Sequence, residues 1–181
     1  MPMPVSIATT EIGSARLHYD AGYGRTDRDR WGGQLEQLNF AAQVPDFTPA
    51  GENLTAAPDT LAFVHLEAAD RSLAPQERMA KLYARFLDER QAPVANGLVM
   101  RQFASDSPYG REDLYFTPPE GRVFTARCTR PARPPDGLPE TCLFYLRVNG
   151  LDAQIRFSPV LLPQWEPLSA GARALIERIA R

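Results

Sequence analysis

The sequence is poor in the residues from which most catalytic and cofactor sites are built. It holds two cysteines, Cys128 and Cys142, and two histidines, His18 and His65, in 181 residues. Two cysteines and two distant histidines make no zinc-ligand spacing, so no metal is expected. The cysteines are also too far apart for a redox pair, which normally has two residues between its thiols. No glycine pattern matches a Walker loop or a dinucleotide fingerprint, so no cofactor is expected. There is no apolar run of the roughly 20 residues that a membrane-spanning helix needs. The first residues have no basic region followed by an apolar core, so no secretory signal is legible. The formal net charge is −2, which gives no global attraction to nucleic acid. Lys81 is the only lysine among 20 basic residues. A GC-rich coding bias accounts for that preference for arginine, so arginine number alone says nothing about phosphate recognition.

What is present fits one globular domain spanning residues 1–181, long enough to bury a core without staples. The hydrophobic fraction of 44% and charged fraction of 23% are ordinary. The 17 prolines predict long, restricted connections between elements.

Residues 5–9 and 14–19 read as a hairpin around Gly13, with Ala15, Leu17 and Tyr19 on one face and Arg16 and His18 on the other. Residues 20–30 are polar and glycine-rich and read as an exposed loop. Leu35, Leu38 and Phe40 fit either a helical turn or a strand, and residues 45–58 read as irregular chain. Residues 60–66 read as a strand. Met79, Leu82, Tyr83, Phe86 and Leu87 then recur at helical spacing, which predicts a helix over about 75–90, stopped by Pro93. Strands follow at 97–103 and 113–116. A last helix over about 168–180 carries Leu168, Ala172, Leu175, Ile176 and Ile179 on one face, and Trp165 anchors the link before it.

The stretch 123–157 is the most readable. Two strands, 123–128 and 142–148, flank a proline-rich excursion, and Asn149-Gly150 turns the chain into a third strand, 151–157. Asn-Gly suits a two-residue turn that needs positive φ at both positions. Ala153, Ile155 and Phe157 share one face of the last strand, and residues 143–148 are apolar on both faces apart from Arg147, as in a covered middle strand. Only one strand-helix-strand unit occurs. The expectation is therefore an α+β fold: a mostly antiparallel twisted sheet of about 6–8 strands with the two helices packed on it. The element order resembles that of small antiparallel-sheet domains of the Mog1/PsbP type, in layout alone.

If the strands ending at Cys128 and starting at Cys142 pair antiparallel, the cysteines face each other. A disulfide would close about 15 residues and stabilise by about 3 kcal/mol on the chain-entropy model. It would place the protein in the periplasm or outside the cell, with a signal or anchor removed from this chain; reduced cysteines would instead fit the cytoplasm.

The chemistry is thin. His18 with Asp20, and His65 with Glu67, are i, i+2 pairs that share a strand face and could form a general base, though neither has an evident nucleophile. Gly22 and Gly24 precede Arg25, Arg28 and Arg30, but their spacing fits no phosphate loop, and Asp27 and Asp29 interleave as in a solvated one. Arg127, Arg130 and Arg133 flank the prolines as a rim for an anionic partner. Glu112 and Asp113 are adjacent and should point to opposite faces. Residues 53–55 match a glycosylation triplet. Tyr109, Tyr115, Phe116 and Tyr145, with Trp31, suggest a groove between sheet and loops. These observations favour a non-enzymatic module that binds a protein or peptide partner through Arg25, Arg28, Arg30, Trp31, Tyr109, Arg130 and Arg133. The alternatives are a small hydrolase using one of the histidine–acid pairs, and a carrier of apolar ligands in a cavity under Met79, Tyr83 and Phe86.

Overall fold

The computed structural model describes residues 6–52, 54, 58–131 and 140–181. Its centre is a nine-stranded antiparallel sheet with a three-stranded sheet beside it. The small sheet contains β1 (Ile7–Ile12), β2 (Ala15–Asp20) and β3 (Gly33–Gln34). β1 and β2 form the hairpin expected from their alternation, with Leu17 and Tyr19 buried.

The large sheet contains β4 (Gln37–Gln43), β5 (Thr48–Pro49), β6 (Leu61–Ala68), β7 (Leu87–Pro93), β8 (Val99–Phe103), β9 (Glu112–Phe116), β10 (Thr125–Thr129), β11 (Cys142–Val148) and β12 (Leu151–Phe157). Their order is β5-β4-β6-β12-β11-β10-β9-β8-β7, so β11 lies in the middle, as its covered sequence implied. Asn149 and Gly150 both take positive φ, 50° and 77°, in the tight turn joining β11 to β12. Cys128 pairs directly with Cys142 in the β10/β11 ladder, and the two are disulfide-bonded.

The register separates the faces. On one, Phe40, Val64, Ile155, Phe144 and Ala126 lie side by side across five strands and are all buried. The β1/β2 hairpin and α2 (Trp165–Ile179) belong to the core on this side. Leu168, Ala172, Leu175, Ile176 and Ile179 of α2 are buried, as the periodicity predicts. The helix begins at Trp165, earlier than expected. That ring packs 5.2 Å from Phe124, and its Nε1 donates to the Asn96 carbonyl.

On the other face, Phe63, Arg156, Leu143, Arg127, Leu114 and Arg101 form the equivalent row. A helical segment covers only the β8–β10 end of it, where Met79 and Tyr83 pack on Phe103, Leu114 and Phe116. This segment is shorter and less regular than the helix expected over 75–90. It runs as a 3₁₀ turn (Pro75–Glu77), a π turn (Met79–Tyr83) and another 3₁₀ turn (Ala84–Phe86). Leu87, read as part of the apolar helical stripe, instead starts β7 and pairs with Phe103. β7 is an edge strand exposed along nearly its whole length, so it lacks the alternation that marks a half-buried strand.

Residues 20–30 also differ from expectation. Asp20 caps a 3₁₀ turn (Ala21–Tyr23), and Thr26 opens a short helix, α1 (Asp27–Trp31), through a reciprocal capping box with Asp29. Asp29 is not solvated: it is 3% exposed and accepts from Thr26 N, Thr26 Oγ1 and Asn39 N. The segment is tied to β4 by a buried carboxylate.

Candidate binding cleft

The ladder between β10 and β11 ends at Ala126 and Phe144. β11 continues to Val148 along β12, but on its other side the pairing stops: Thr125 pairs only with Phe116 of β9, and residues 121–124 precede the strand. The separation opens a cleft of about 90 Å³. Residues 143–147 of β11 form one wall, and Val123, Phe124 and Thr125 form another. The helical segment closes it from one face of the sheet with Arg78 and Tyr83, and α2 reaches it from the other with Ser169 and Arg173.

The cleft is cationic. Arg78, Arg122, Arg127, Arg147 and Arg173 all line it. Arg127 donates to Glu112 at 2.9 Å and to the Tyr145 hydroxyl at 3.4 Å, and its guanidinium lies 4.9 Å from the Tyr109 ring. Burial opposes the charge on Arg127; Tyr83, Glu112 and Tyr145 outweigh burial and hold its pKa above the ordinary arginine value. Burial pushes the Tyr83 phenol up, against the opposing pull of Arg127 and Arg78. Arg147 makes a two-pronged pair with Asp152 at 2.7 and 3.0 Å. Arg122 and Glu120 are 3.6 Å apart and exposed, a pair worth little. Among the described residues, Arg78 and Arg173 have no carboxylate within 4.0 Å. Arg78 instead stacks 4.0 Å above the Tyr145 ring.

A second, shallower concavity lies on the same face of the sheet as Tyr145. Asn39, His65, Gln154 and Tyr145 are cross-strand neighbours from β4 to β11. Arg25 and Arg156 stand beside this row. Arg25 lies 4.4 Å above the Phe63 ring. Arg25 therefore belongs to the sheet face as well as to the loop that carries it.

The other candidates fall in different places. His18 is exposed on β2, with Nδ1 3.0 Å from the Thr9 hydroxyl, while the Asp20 carboxylate accepts from the Gly22 amide. His65 sits in the concavity with Nδ1 on the Asn39 side-chain oxygen at 2.8 Å and Nε2 3.7 Å from Glu67. Among the described residues no serine, threonine or tyrosine lines that concavity, and neither histidine is seen with a carboxylate and a hydroxyl together in a pocket. Arg28 is exposed on α1, Arg30 reaches the Gly24 carbonyl and Asp27, and Trp31 is 79% exposed.

Arg130 is tied inward, to Asp113 and to the carbonyls of Gly110, Phe103 and Glu112, so it braces the turn over residues 105–111. Glu112 and Asp113 serve different arginines, as adjacent strand residues should. Tyr109 packs among Tyr83, Phe86 and Phe103, and Phe116 is fully buried in the core instead of lining a groove. The space under Met79 and Tyr83 is taken by side chains, and the cleft beside it is lined by arginines, which suits an anion better than an apolar ligand. Arg133, and Asn53 and Thr55 of the 53–55 triplet, lie outside the described residues.

Sequence reasoning missed Arg78 and Arg173 and gave Arg147 no role. Arg147 did carry a signal: it is the one charge in an otherwise apolar central strand. Arg78 and Arg173 carried none, because each occupies the polar side of a helical segment where arginine is ordinary.

No protein-family model matches the chain, and no curated protein matches it in sequence. Solved structures do share its fold. One is Smlt3025, an immunity protein of the Stenotrophomonas maltophilia type IV secretion system, at 14% identity and a TM-score of 0.66 over 96% of this chain and 92% of that one. Another is the iron-regulated outer membrane lipoprotein FrpD of Neisseria meningitidis, at 12% identity and a TM-score of 0.52 over 95% of this chain and 89% of that one. At such identity the likeness is one of fold, and no residue role is carried across.

Proposed function

We propose that this chain is a non-enzymatic, extracytoplasmic module that binds an acidic protein partner across the cationic face of its large sheet. The arginine-lined cleft is the observation that carries the reading. Arginine and tyrosine are residue types enriched at the centres of protein interfaces; here Arg127, Tyr145 and Arg147 are held on strands, and Arg78 and Arg173 on the helical segments that flank them. Among the described residues two cations in the cleft lack carboxylates, and complementary charge on a partner would neutralise them and steer its approach. The immunity-protein neighbour supports a protein as the partner, and both neighbours, with the Cys128–Cys142 disulfide, support a site in the periplasm or at the cell surface.

Val123 is 77% exposed at the rim of the cleft and is the place for a photo-cross-linking side chain. Irradiation in the oxidising compartment should give one discrete adduct, and Arg173→Glu should abolish it while leaving the fold intact. An adduct that survives Arg173→Glu, or the absence of any adduct from Val123 when a probe at Trp31 gives one, would move the interface away from the cleft.

A further inference from the structure

The cleft is small, and its size decides what can enter. About 90 Å³ holds several waters by the same measure, enough for one side chain but far too little for an added strand. Its walls are mixed. Val123, Phe124 and Leu146 offer apolar contact, while Arg78 and Arg173 bring charge from the two faces of the sheet. The Nε atoms of Arg78 and Arg127 are buried without a hydrogen-bond acceptor among the described residues. Buried donors that go unmade are costly, and the Arg78 guanidinium, held by the Tyr145 ring and the Tyr83 hydroxyl with no carboxylate beside it among the described residues, can turn towards a better acceptor.

Resting on the reading above, we propose that the cleft receives one carboxylate side chain, glutamate or aspartate, projected by the partner. Arg78 leaves the Tyr145 ring to clamp it from one face, Arg173 reaches it from the other, and the apolar wall takes its methylenes. Arg127 and Arg147 stay paired with Glu112 and Asp152, which leaves Arg78 and Arg173 as the charges the carboxylate meets. The chemistry recognised is an oxyanion. The apolar wall selects a carboxylate on an aliphatic stem over free phosphate.

The test uses the whole chain and three probes: N-acetylglutamate N-methylamide, its glutamine counterpart, and inorganic phosphate. Arginine Nε–H resonances are followed as each is added. The glutamate probe should shift the Arg78 signal saturably, with the Tyr145 ring resonances moving in step. The glutamine probe should do nothing, and phosphate should bind at least about tenfold more weakly. Arg173→Gln, on an exposed helix surface, should weaken the glutamate probe about tenfold, so the result does not depend on whether an Arg78 variant folds. Equal response to both amino-acid probes, tighter binding of phosphate, or no response at Arg78 overturns the proposal. A Val123 adduct without any Arg78 response would leave the binding function standing and remove only the carboxylate pocket. An Arg78 response with no adduct would do the reverse.

Discussion

Asp29 gives the most direct check on how the segment 20–31 is held. Its carboxylate is 3% exposed and accepts three hydrogen bonds, from Thr26 N at 3.0 Å, Thr26 Oγ1 at 2.7 Å and Asn39 N at 3.0 Å. Two of the donors are main-chain amides, one at the start of α1 and one on β4. Asparagine at this position keeps the shape but has one acceptor oxygen and one amino group. The amino group must face a donor, which leaves at least one partly buried N–H without an acceptor. An unmade buried donor costs about 1–3 kcal/mol. We therefore expect Asp29→Asn to destabilise by about 2 kcal/mol and lower the melting temperature by roughly 4–8 °C for a chain of this size. Asp29→Ala removes all three bonds and half of the capping box, and should cost about 3–4 kcal/mol. The control is Asp27→Asn. Asp27 is 71% exposed in its 3.2 Å pair with Arg30, and losing it should cost no more than about 0.5 kcal/mol. Urea denaturation of the three variants measures the differences. If Asp29→Asn behaves like Asp27→Asn, the carboxylate does not tie the segment to β4, and the buried-cap argument is wrong.

Two further outcomes follow from the same physical reasoning. Replacing both Cys128 and Cys142 by alanine should lower stability by about 3 kcal/mol, since the bond closes a loop of about 15 residues in the unfolded chain. The urea midpoint should fall while non-reducing mass analysis shows the wild-type chain lighter than its reduced form by the two hydrogen atoms lost on oxidation; an unchanged midpoint would mean that the pairing of β10 with β11 holds these strand ends without the bond. The second outcome concerns alkaline pH. Burial raises the phenols of Tyr19, Tyr23, Tyr83 and Tyr115. The folded chain thus keeps protons that the unfolded chain releases above about pH 10, the ordinary tyrosine value. The stability this contributes is full below that pH and is lost as pH rises through the raised folded values. Urea midpoints taken up to about pH 11 should fall with the appearance of tyrosinate absorbance; midpoints that stay level would contradict the burial of these hydroxyls.

The sequence by itself determined what depends on neighbours along the chain. Asn149-Gly150 fixed a turn, because few other residues take positive φ twice in succession, and that turn set the β11/β12 register. Alternation in 151–157 and the apolar stripe of α2 marked their buried faces, because each strand or helix repeats its contact with one core. The cysteines stand at the facing ends of two strands, so the antiparallel pairing of β10 with β11, which the sequence left as a condition, sets Cys128 opposite Cys142. Local chemistry also held a signal that was not used: Thr26-x-x-Asp29 is a capping pattern, and it would have placed the start of α1.

What the sequence could not determine was set by strand order and by edges. β7 has no alternation because neither of its faces is buried. Leu87 satisfies the helical spacing but is drawn into a ladder with Phe103. The cleft exists because β11 runs on beyond Phe144 without β10 beside it, and no spacing along the chain encodes that departure. Arg78, Arg127 and Arg173 come from three distant segments and meet only there. Their positive field, like the buried role of Asp29, belongs to tertiary packing. The physical reason is common to both: the cost or value of a charge depends on what surrounds it in space, and that is decided only when distant strands and helices have closed around it.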